Sequence, residues 1–320
     1  MVITARSLLH FLAVQGVLLA GLIAVPPALA TTCSETDAEA LGWLAKMSRS
    51  YREVAYQGVV TFQRGDDLQV MQIARSMESG QSHELLTRLT GQGVRVVRAG
   101  HPLDCTHPGQ QLLQLGDRAP ASGCGIAEYY RFQVGEGDRI AGRQAVRVGI
   151  QPRDMYRYGY VLELDRETGL LLRISTLGRG DQTLERFQFA DLHYGEPLTP
   201  QQDVATVHPA RHPHPDQVDE GPSVTAPWVV SWLPRGFVPT DSAAEASIRR
   251  TYTDGLAVFS VFLEQLPRAM RPGEGVAREG STTSYSRGMS LAEQPVLVTV
   301  VGEVPVNTAR MVADSVRMVR

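Results

Sequence analysis

The stretch YGYVLELDRETGLLLRISTL, residues 158–177, contains the pattern that decides the fold of this chain. It consists of two apolar runs joined by residues 165–169, whose types are typical of a tight turn between strands. In the first run Tyr158 and Tyr160 share one face and Val161 lies on the other, because side chains alternate along a strand. Apolar side chains on both faces indicate a strand covered on both sides, as in a curled sheet with a helix against its concave face.

The same pattern recurs from residue 56 to residue 189 and predicts an antiparallel sheet. Short strands at nearly regular spacing are typical of a barrel or a sandwich. The predicted strands are residues 56–63, 68–75, 83–89, 94–99, 110–115, 129–134, 144–150, 158–164, 170–177 and 183–189. A curled sheet of this kind also leaves room for an interior cavity, although periodicity alone does not establish one.

One amphipathic helix precedes these strands. Thr36 and Glu39 have the spacing of a capping box, which predicts a helix with Thr36 as its N-cap and an end near Arg52. Its apolar residues recur at helical spacing: Ala40, Trp43, Leu44, Met47 and Tyr51. This apolar face has to be covered by the sheet that follows.

Residues 196–227 have a different composition and predict a linker. Seven prolines interrupt a polar stretch with little apolar content, which indicates an extended, partly polyproline-like segment. His208, His212 and His214 lie in it with Asp216 nearby, so a metal site is an alternative. Prolines on either side of the histidines stiffen the chain and oppose convergence, and we therefore expect an exposed linker.

A second, smaller domain is predicted from residue 228 to residue 320. Asp254-Gly255 is a strong hairpin signal. Asn307 is predicted to cap a last helix, with Met311, Val312, Ser315 and Val319 on one face. The predicted strands are residues 228–232, 247–253, 256–263, 282–287 and 296–302. The expected domain is α+β, with a four- or five-stranded antiparallel sheet covered by the C-terminal helix.

The first thirty residues resemble a secretory signal. Arg6 precedes an apolar run, and Pro26 and Pro27 break it ahead of Ala28-Leu29-Ala30, a site of the type that signal peptidase cleaves. A retained membrane anchor is the alternative, because the run is almost long enough to span a bilayer. We expect cleavage after Ala30, a first domain over residues 31–195, and a mature chain outside the cytoplasm.

Charge and cysteine content narrow the class of protein. A formal net charge of −3 gives no electrostatic support for a nucleic-acid partner. Cys105 and Cys124 lie in turn-rich sequence and are the expected disulfide in an oxidising compartment, although sequence leaves a pairing of either with Cys33 open. The sequence contains no nucleophile elbow, HExxH, P-loop or dinucleotide motif, and the cysteines lack zinc-ligand spacing. We therefore expect a binding protein without catalytic residues, metal or cofactor.

Several segments together resemble the MucB/RseB family of periplasmic regulators. They are Tyr56-Gln57-Gly58, Tyr156–Tyr160, residues 164–173, residues 232–237, Asp254-Gly255-Leu256 with residues 259–262, and residues 299–305. The resemblance spans nearly the whole mature chain in the right order. The cysteine pair is a departure from the family pattern.

The resemblance implies a fold and a function. The first domain is expected to be an unclosed β-barrel with helices, similar to the lipoprotein carriers LolA and LolB, followed by the smaller α+β domain. The implied partner is the periplasmic segment of a MucA/RseA-like membrane anti-sigma factor, which the bound protein shields from regulated proteolysis in the periplasm of a Gram-negative bacterium. Lipid or lipopolysaccharide is expected to loosen this grip. Self-association into a homo-oligomer stays open.

Candidate site residues follow from this hypothesis, each with an ordinary structural alternative in the core or on a solvated strand face. Candidates for contact with lipid chains are Trp43, Met47, Phe62, Met71, Ile73, Leu85, Phe132 and Phe187. Candidates for phosphate contact are Arg95, Arg98, Arg143, Arg147 and Arg173. Candidates for partner binding are Trp232, Arg235, Phe237, Tyr252 and Phe259. A lipid or lipoprotein carrier and a hydrolase with dispersed catalytic residues are the competing functions.

Overall fold

Helix α1, Glu35–Glu53, opens the described part of the chain and packs against the first sheet. The computed structural model describes residues 35–78, 81–91, 95–99, 125–195, 228–240, 249–267 and 273–319. Ala40, Leu44 and Met47 are buried on one face of α1, as helical periodicity predicts. The helix begins one residue before Thr36, so Thr36 lies in its first turn and the prediction that it is the N-cap was wrong.

The first sheet contains nine antiparallel strands. They are β1 Tyr56–Arg64, β2 Asp67–Glu78, β3 Gln81–Arg88, β4 Arg95–Ala99, β5 Tyr130–Ile140, β6 Arg143–Pro152, β7 Gly159–Asp165, β8 Leu171–Leu177 and β9 Thr183–Tyr194. Their order in the sheet is β4-β3-β2-β1-β9-β8-β7-β6-β5, so the first and last strands of the chain segment, β1 and β9, are neighbours. Within the described residues β4 and β5 do not pair, and the sheet is therefore unclosed, as predicted.

Two apolar clusters pack against this sheet. The first lies beneath α1 and includes Met47, Tyr130, Phe132 and Leu162. The second includes Tyr56, Ile73, Leu172 and Phe189. Within the stretch 158–177, strand β7 is covered on both faces, because every residue of β7 except Val161 is buried.

The second sheet has six antiparallel strands in the order β11-β12-β13-β16-β15-β14, one more than the largest number predicted. They are β11 Val238–Pro239, β12 Arg249–Thr253, β13 Val258–Gln265, β14 Glu274–Glu279, β15 Thr282–Leu291 and β16 Gln294–Gly302. Strand β14 escaped prediction because all six of its side chains are exposed, so its sequence has no apolar alternation. β10, Trp228–Val230, and β17, Val316–Met318, form a separate two-stranded sheet.

The C-terminal helix α2, Val306–Asp314, differs from prediction at both ends. Pro305 precedes it, and Asn307 lies in its first turn instead of capping it. Its buried face consists of Thr308, Ala309, Val312 and Ala313, while Met311 is exposed. Of the predicted face, Val312 and Ser315 are buried, whereas Met311 and Val319 are exposed. Val319 does not continue the face because α2 ends at residue 314, where the chain leaves helical periodicity to form β17.

All described residues belong to one compact unit that spans residues 33–320. The signal segment, the linker at 196–227 with its histidines, the predicted strand 110–115, and Cys33, Cys105 and Cys124 lie outside the described residues. In the part of the chain that is described, no helix is both long and apolar enough to cross a membrane.

Candidate functional site: the contact and groove between the two sheets

A fully buried ion pair joins the two sheets. Arg157 lies in the loop between β6 and β7, and Asp254 lies in the turn between β12 and β13. The Arg157 Nη1 donates to Asp254 Oδ2 at 2.9 Å, and neither side chain is exposed to solvent. The Tyr130 hydroxyl of β5 donates to the same oxygen at 2.9 Å. We call these three residues the arginine–aspartate contact.

Both ionised groups of this contact have several partners. Asp254 Oδ1 accepts hydrogen bonds from the backbone N–H groups of Leu256 and Ala257, at 2.9 and 2.8 Å. The Arg157 guanidinium donates to the backbone oxygen of Arg235. Burial raises the pKa of Asp254, while Arg157 and the two backbone N–H groups oppose that rise. A buried charge is tolerated only when it is paired and hydrogen-bonded, and this contact meets that condition.

Aromatic rings surround the guanidinium of Arg157. Its carbon lies 5.0 Å from the ring centroids of both Tyr129 and Phe237, one on each side of the contact between the sheets. Gly236 approaches Tyr129 so closely that an added Cβ would lie 2.4 Å from the ring, at a φ of 93° that favours glycine. The turn 233–237 is therefore shaped to fit against the first sheet.

A second contact between the sheets is built around Glu185 of β9. Glu185 Oε1 accepts from the backbone N–H of Ser281 and from Arg64 Nε, both at 3.0 Å. Arg64 also pairs with Glu279 of β14 at 2.9 Å. Half-buried Glu303 lies near Glu185 without an ion pair among the described residues. We call Arg64, Glu185, Glu279 and Glu303 the glutamate contact.

The glutamate contact has an uneven charge balance. Burial and, to a smaller extent, like-charge repulsion by Glu185 together raise the pKa of Glu303 to about 7, although Arg64 opposes both effects. Three carboxylates thus lie near one guanidinium, and only Glu185 and Glu279 pair with it. The protonation of Glu303 is expected to change within the physiological pH range.

A third set of contacts joins α2 to the loop between β6 and β7. Thr308 Oγ1 donates to the backbone oxygen of Tyr156 at 3.0 Å. The Tyr156 ring packs edge-on against Trp232, with centroids 5.2 Å apart. Leu256 of the second sheet's hairpin packs into the cluster beneath α1. The sheets therefore share apolar as well as polar contacts.

A groove of about 630 Å³ runs along this junction. The first sheet contributes Met155, Arg179 and Asp181 to its lining, and the second contributes Arg278, Pro305 and Val306. Met155 is 57% exposed, so an apolar side chain is available within a charged rim. This volume is in the range of pockets that bind small molecules or short peptide segments. Among the described residues, no cluster of side chains could hold a metal ion.

The residues predicted to contact lipid chains have different environments. They are Trp43, Met47, Phe132 and Phe187 in the cluster beneath α1, Met71 and Ile73 in the second cluster, Phe62 against the Arg64 guanidinium, and Leu85, half-buried on β3. Met47, Ile73 and Phe132 are buried as ordinary core residues. Contact with lipid stays a prediction for this set.

The arginines predicted to bind phosphate already have carboxylate partners where their side chains are described. Arg143 pairs with Asp165 and Glu167. Arg147 and Arg173 both pair with buried Glu163. Arg95 and Arg98 lie on β4, and their side chains are outside the described set. A phosphate would have to displace these carboxylates, and the phosphate role stays a prediction.

Three of the five residues predicted to bind a partner lie in the core of the second sheet. Phe237, Tyr252 and Phe259 are at most 6% exposed and pack on one another, with ring centroids 5.1 and 5.4 Å apart. Their burial leaves no surface for a partner in this arrangement. Arg235 is exposed and Trp232 is half-buried, so for these two the partner role stays a prediction.

Sequence reasoning missed Arg157, Asp254, Glu185 and Glu303. Arg157 lies between Tyr156 and Tyr158 and was treated as part of an aromatic segment. Asp254 was treated as part of a turn, and the charge of neither residue entered the prediction. A lone charge within an aromatic segment was the available signal for Arg157. Nothing in the spacing of 97 residues between Arg157 and Asp254 indicates that they meet.

The fold and the groove define a mainly antiparallel β protein with a candidate binding groove where its two large sheets meet. Residues 39–207 match the profile of the MucB/RseB N-terminal domain, and residues 222–317 match that of the MucB/RseB C-terminal domain. The sigma factor AlgU regulatory protein MucB of Pseudomonas aeruginosa is 35% identical over 94% of this chain and 95% of its own. The chain therefore belongs to the MucB/RseB family.

Solved structures of MucB agree with this assignment. The complex structure of Pseudomonas aeruginosa MucA/MucB is 33% identical and superposes with a TM-score of 0.68, covering 88% of this chain and 99% of that one. A crystal structure of MucB alone superposes with a TM-score of 0.56 over 88% of this chain and 98% of that one, at 33% identity. The mainly antiparallel fold predicted from sequence is thereby confirmed.

Proposed function

We propose that this chain is a periplasmic regulator of an extracytoplasmic stress sigma factor. In this proposal it binds the periplasmic segment of a MucA/RseA-like membrane anti-sigma factor and shields that segment from regulated proteolysis. It acts by binding and not by catalysis. The observation that carries the proposal is the match along nearly the full length to MucB, a protein solved in complex with MucA.

The junction between the sheets supports this function physically. A segment that lies across both domains binds most tightly when their arrangement is already fixed, because less conformational entropy is then lost on binding. The arginine–aspartate contact, buried on both sides, holds such an arrangement in place. The higher TM-score with the MucA/MucB complex than with MucB alone is consistent with a chain arranged for its partner.

Release by lipid is the second part of the proposal. A lipid or lipopolysaccharide that enters beneath α1 and separates the sheets favours an arrangement that binds the anti-sigma segment more weakly. The coupling between two such sites is typically about 1–3 kcal/mol, or about 5- to 150-fold in affinity. The lipid-contact candidates Trp43, Met47, Phe132 and Phe187 lie in the cluster that also receives Leu256 of the second sheet, so displacement there reaches the junction.

The test uses the purified mature chain, a fluorescently labelled periplasmic segment of MucA, and purified lipopolysaccharide. We expect saturable binding of the segment, measured by fluorescence anisotropy, and an increase in its Kd when lipopolysaccharide is added. Lipid uptake without segment binding would favour a carrier, and absence of both would overturn the proposal. Segment binding that lipopolysaccharide leaves unchanged would remove only the release step.

A further inference from the structure

The groove at the junction contains two arginines without carboxylate partners. Arg179 comes from the turn after β8, and Arg278 comes from β14, so each sheet supplies one. Both are exposed, and within the described residues neither forms an ion pair. Arg64 and Arg157 at the same junction differ, because both pair with carboxylates.

The rest of the lining suits a polypeptide. Gln151, Gln182 and Asn307 provide side-chain amides, which can donate to and accept from a peptide backbone. Met155, Leu177 and Val306 provide apolar surface for alternate side chains of an extended segment. The combination of amides, apolar surface and cations indicates a ligand that carries amide groups, apolar side chains and negative charge.

A lipid headgroup phosphate fits this lining less well. Asp181 and Asp154, of which Asp154 pairs with Arg157 at 3.4 Å, also line the groove, and their carboxylates would repel a phosphate, which has only acceptor oxygens. A peptide brings backbone N–H donors that these two carboxylates can accept, together with side-chain carboxylates for the arginines. The charge pattern therefore favours a peptide over an anionic lipid.

We propose that this groove binds an extended acidic segment of the protein partner, with carboxylates of the segment paired to Arg179 and Arg278. The proposal rests on the proposed function and names the chemistry of the partner. Because one arginine belongs to each sheet, the segment makes both ion pairs only while the sheets are in contact. The groove thus couples partner binding to the arrangement of the two domains.

The experiment compares two double variants of the full mature chain. R179Q/R278Q removes the two groove charges. R131Q/R249Q removes two exposed arginines, one from each sheet, that do not line the groove. Binding of the labelled MucA periplasmic segment is measured by fluorescence anisotropy at low and high salt. The groove variant is expected to raise Kd by about tenfold or more, and the control variant by much less.

A second arm replaces the Asp and Glu residues of the probe with Asn and Gln. The neutralised segment is expected to bind the wild-type chain weakly. Its affinity is expected to fall little further with R179Q/R278Q, because the negative charges that would pair with the two arginines are already absent. Equal losses in the groove and control variants would overturn the groove proposal. So would unchanged binding in R179Q/R278Q, while the proposed function would stand.

A third arm uses vesicles that contain phosphatidylglycerol. Loss of vesicle binding in R179Q/R278Q with unchanged affinity for the MucA segment would assign the arginines to lipid and overturn the proposal. Failure of the wild-type chain to bind the segment at all would instead contradict the proposed function. The two failures are therefore distinguishable.

Discussion

The two polar contacts between the sheets use the same residue types but differ in charge balance. In the arginine–aspartate contact the guanidinium of Arg157 pairs with buried Asp254 and, at 3.4 Å, with Asp154 of its own loop, so each carboxylate there has a cation, and Asp254 also accepts three further hydrogen bonds. In the glutamate contact Arg64 faces Glu185 and Glu279, and Glu303 stands nearby without a cation of its own. We expect the first contact to fix how the two sheets are arranged, and the second to make the stability of that arrangement depend on pH.

The largest expected effect comes from breaking the first contact with Asp254→Ala. This change removes the buried carboxylate nearest to the guanidinium of Arg157, which keeps only Asp154 at 3.4 Å, and it removes an acceptor for Tyr130. Loss of one partner of a buried ion pair costs about 3–5 kcal/mol, so we expect the free energy of unfolding in urea to fall by that amount. The matched control is Asp314→Ala, which breaks a half-exposed pair with Arg287 and is expected to cost at most about 1 kcal/mol. Similar losses of unfolding free energy in the two variants would contradict the greater contribution assigned to the buried pair.

A smaller effect is expected from Glu185→Ala in the second contact. The variant removes the acceptor of the Ser281 N–H and one of the two carboxylates on Arg64, but Glu279 remains paired with that arginine. Hydrogen bonds to charged groups contribute about 1.5–3 kcal/mol, and we expect a loss near 2 kcal/mol in urea unfolding. A loss as large as that of Asp254→Ala would show that the two contacts contribute equally.

The smallest effect is the pH dependence that Glu303 of the second contact should produce. Folding raises the pKa of Glu303 from 4.5 to about 7, so the folded chain binds the proton more tightly than the unfolded chain. This contribution to stability is fully present below pH 4.5 and is lost as the pH rises through 7. We expect about 1–2 kcal/mol between pH 5 and pH 8, reduced by solvent screening of the half-buried side chain.

The measurement compares urea unfolding of wild type and Glu303→Gln across that range. The variant should lack this part of the slope, because its amide does not titrate. Glu185→Ala should have an intermediate slope, since the like charge that helps to raise the pKa of Glu303 is removed. Identical slopes in wild type and Glu303→Gln would refute the sensitivity assigned to the second contact.

Most of the strands could be predicted from sequence because their apolar faces are regular. The alternation along β1 and β6 and the apolar run of β8 predict these strands within a few residues, and the Asp254-Gly255 turn marks the hairpin between β12 and β13. Strand β14 could not be found in this way, because it forms the exposed edge of its sheet and buries no side chain. The position of β14 is determined by its pairing with β15, and this pairing does not produce any periodic pattern in the sequence of β14.

The junction was predicted less well than the sheets. Tyr130 was correctly assigned to a strand, while Leu256 was predicted to begin a strand and lies in the turn before β13, which starts at Val258. Their meeting in one cluster depends on how the two sheets pack, which local sequence does not show. Phe237 and Phe259 were expected to contact a partner and instead pack in the core, because large aromatic residues serve both roles and composition does not separate them. Charges such as Arg157 and Asp254 are informative only once their burial is known.

The pairing of β1 with β9 has a consequence for how the chain folds. Arg64 and Glu185, opposite each other in this pair, are 121 positions apart along the chain. Contacts between such distant segments slow folding, because the entropy of closing the intervening chain is lost before the pair contributes. Until residue 194 has been synthesised, one edge of β1 lacks its partner and can pair with another molecule. We therefore expect aggregation during refolding to be greatest for chains truncated before β9.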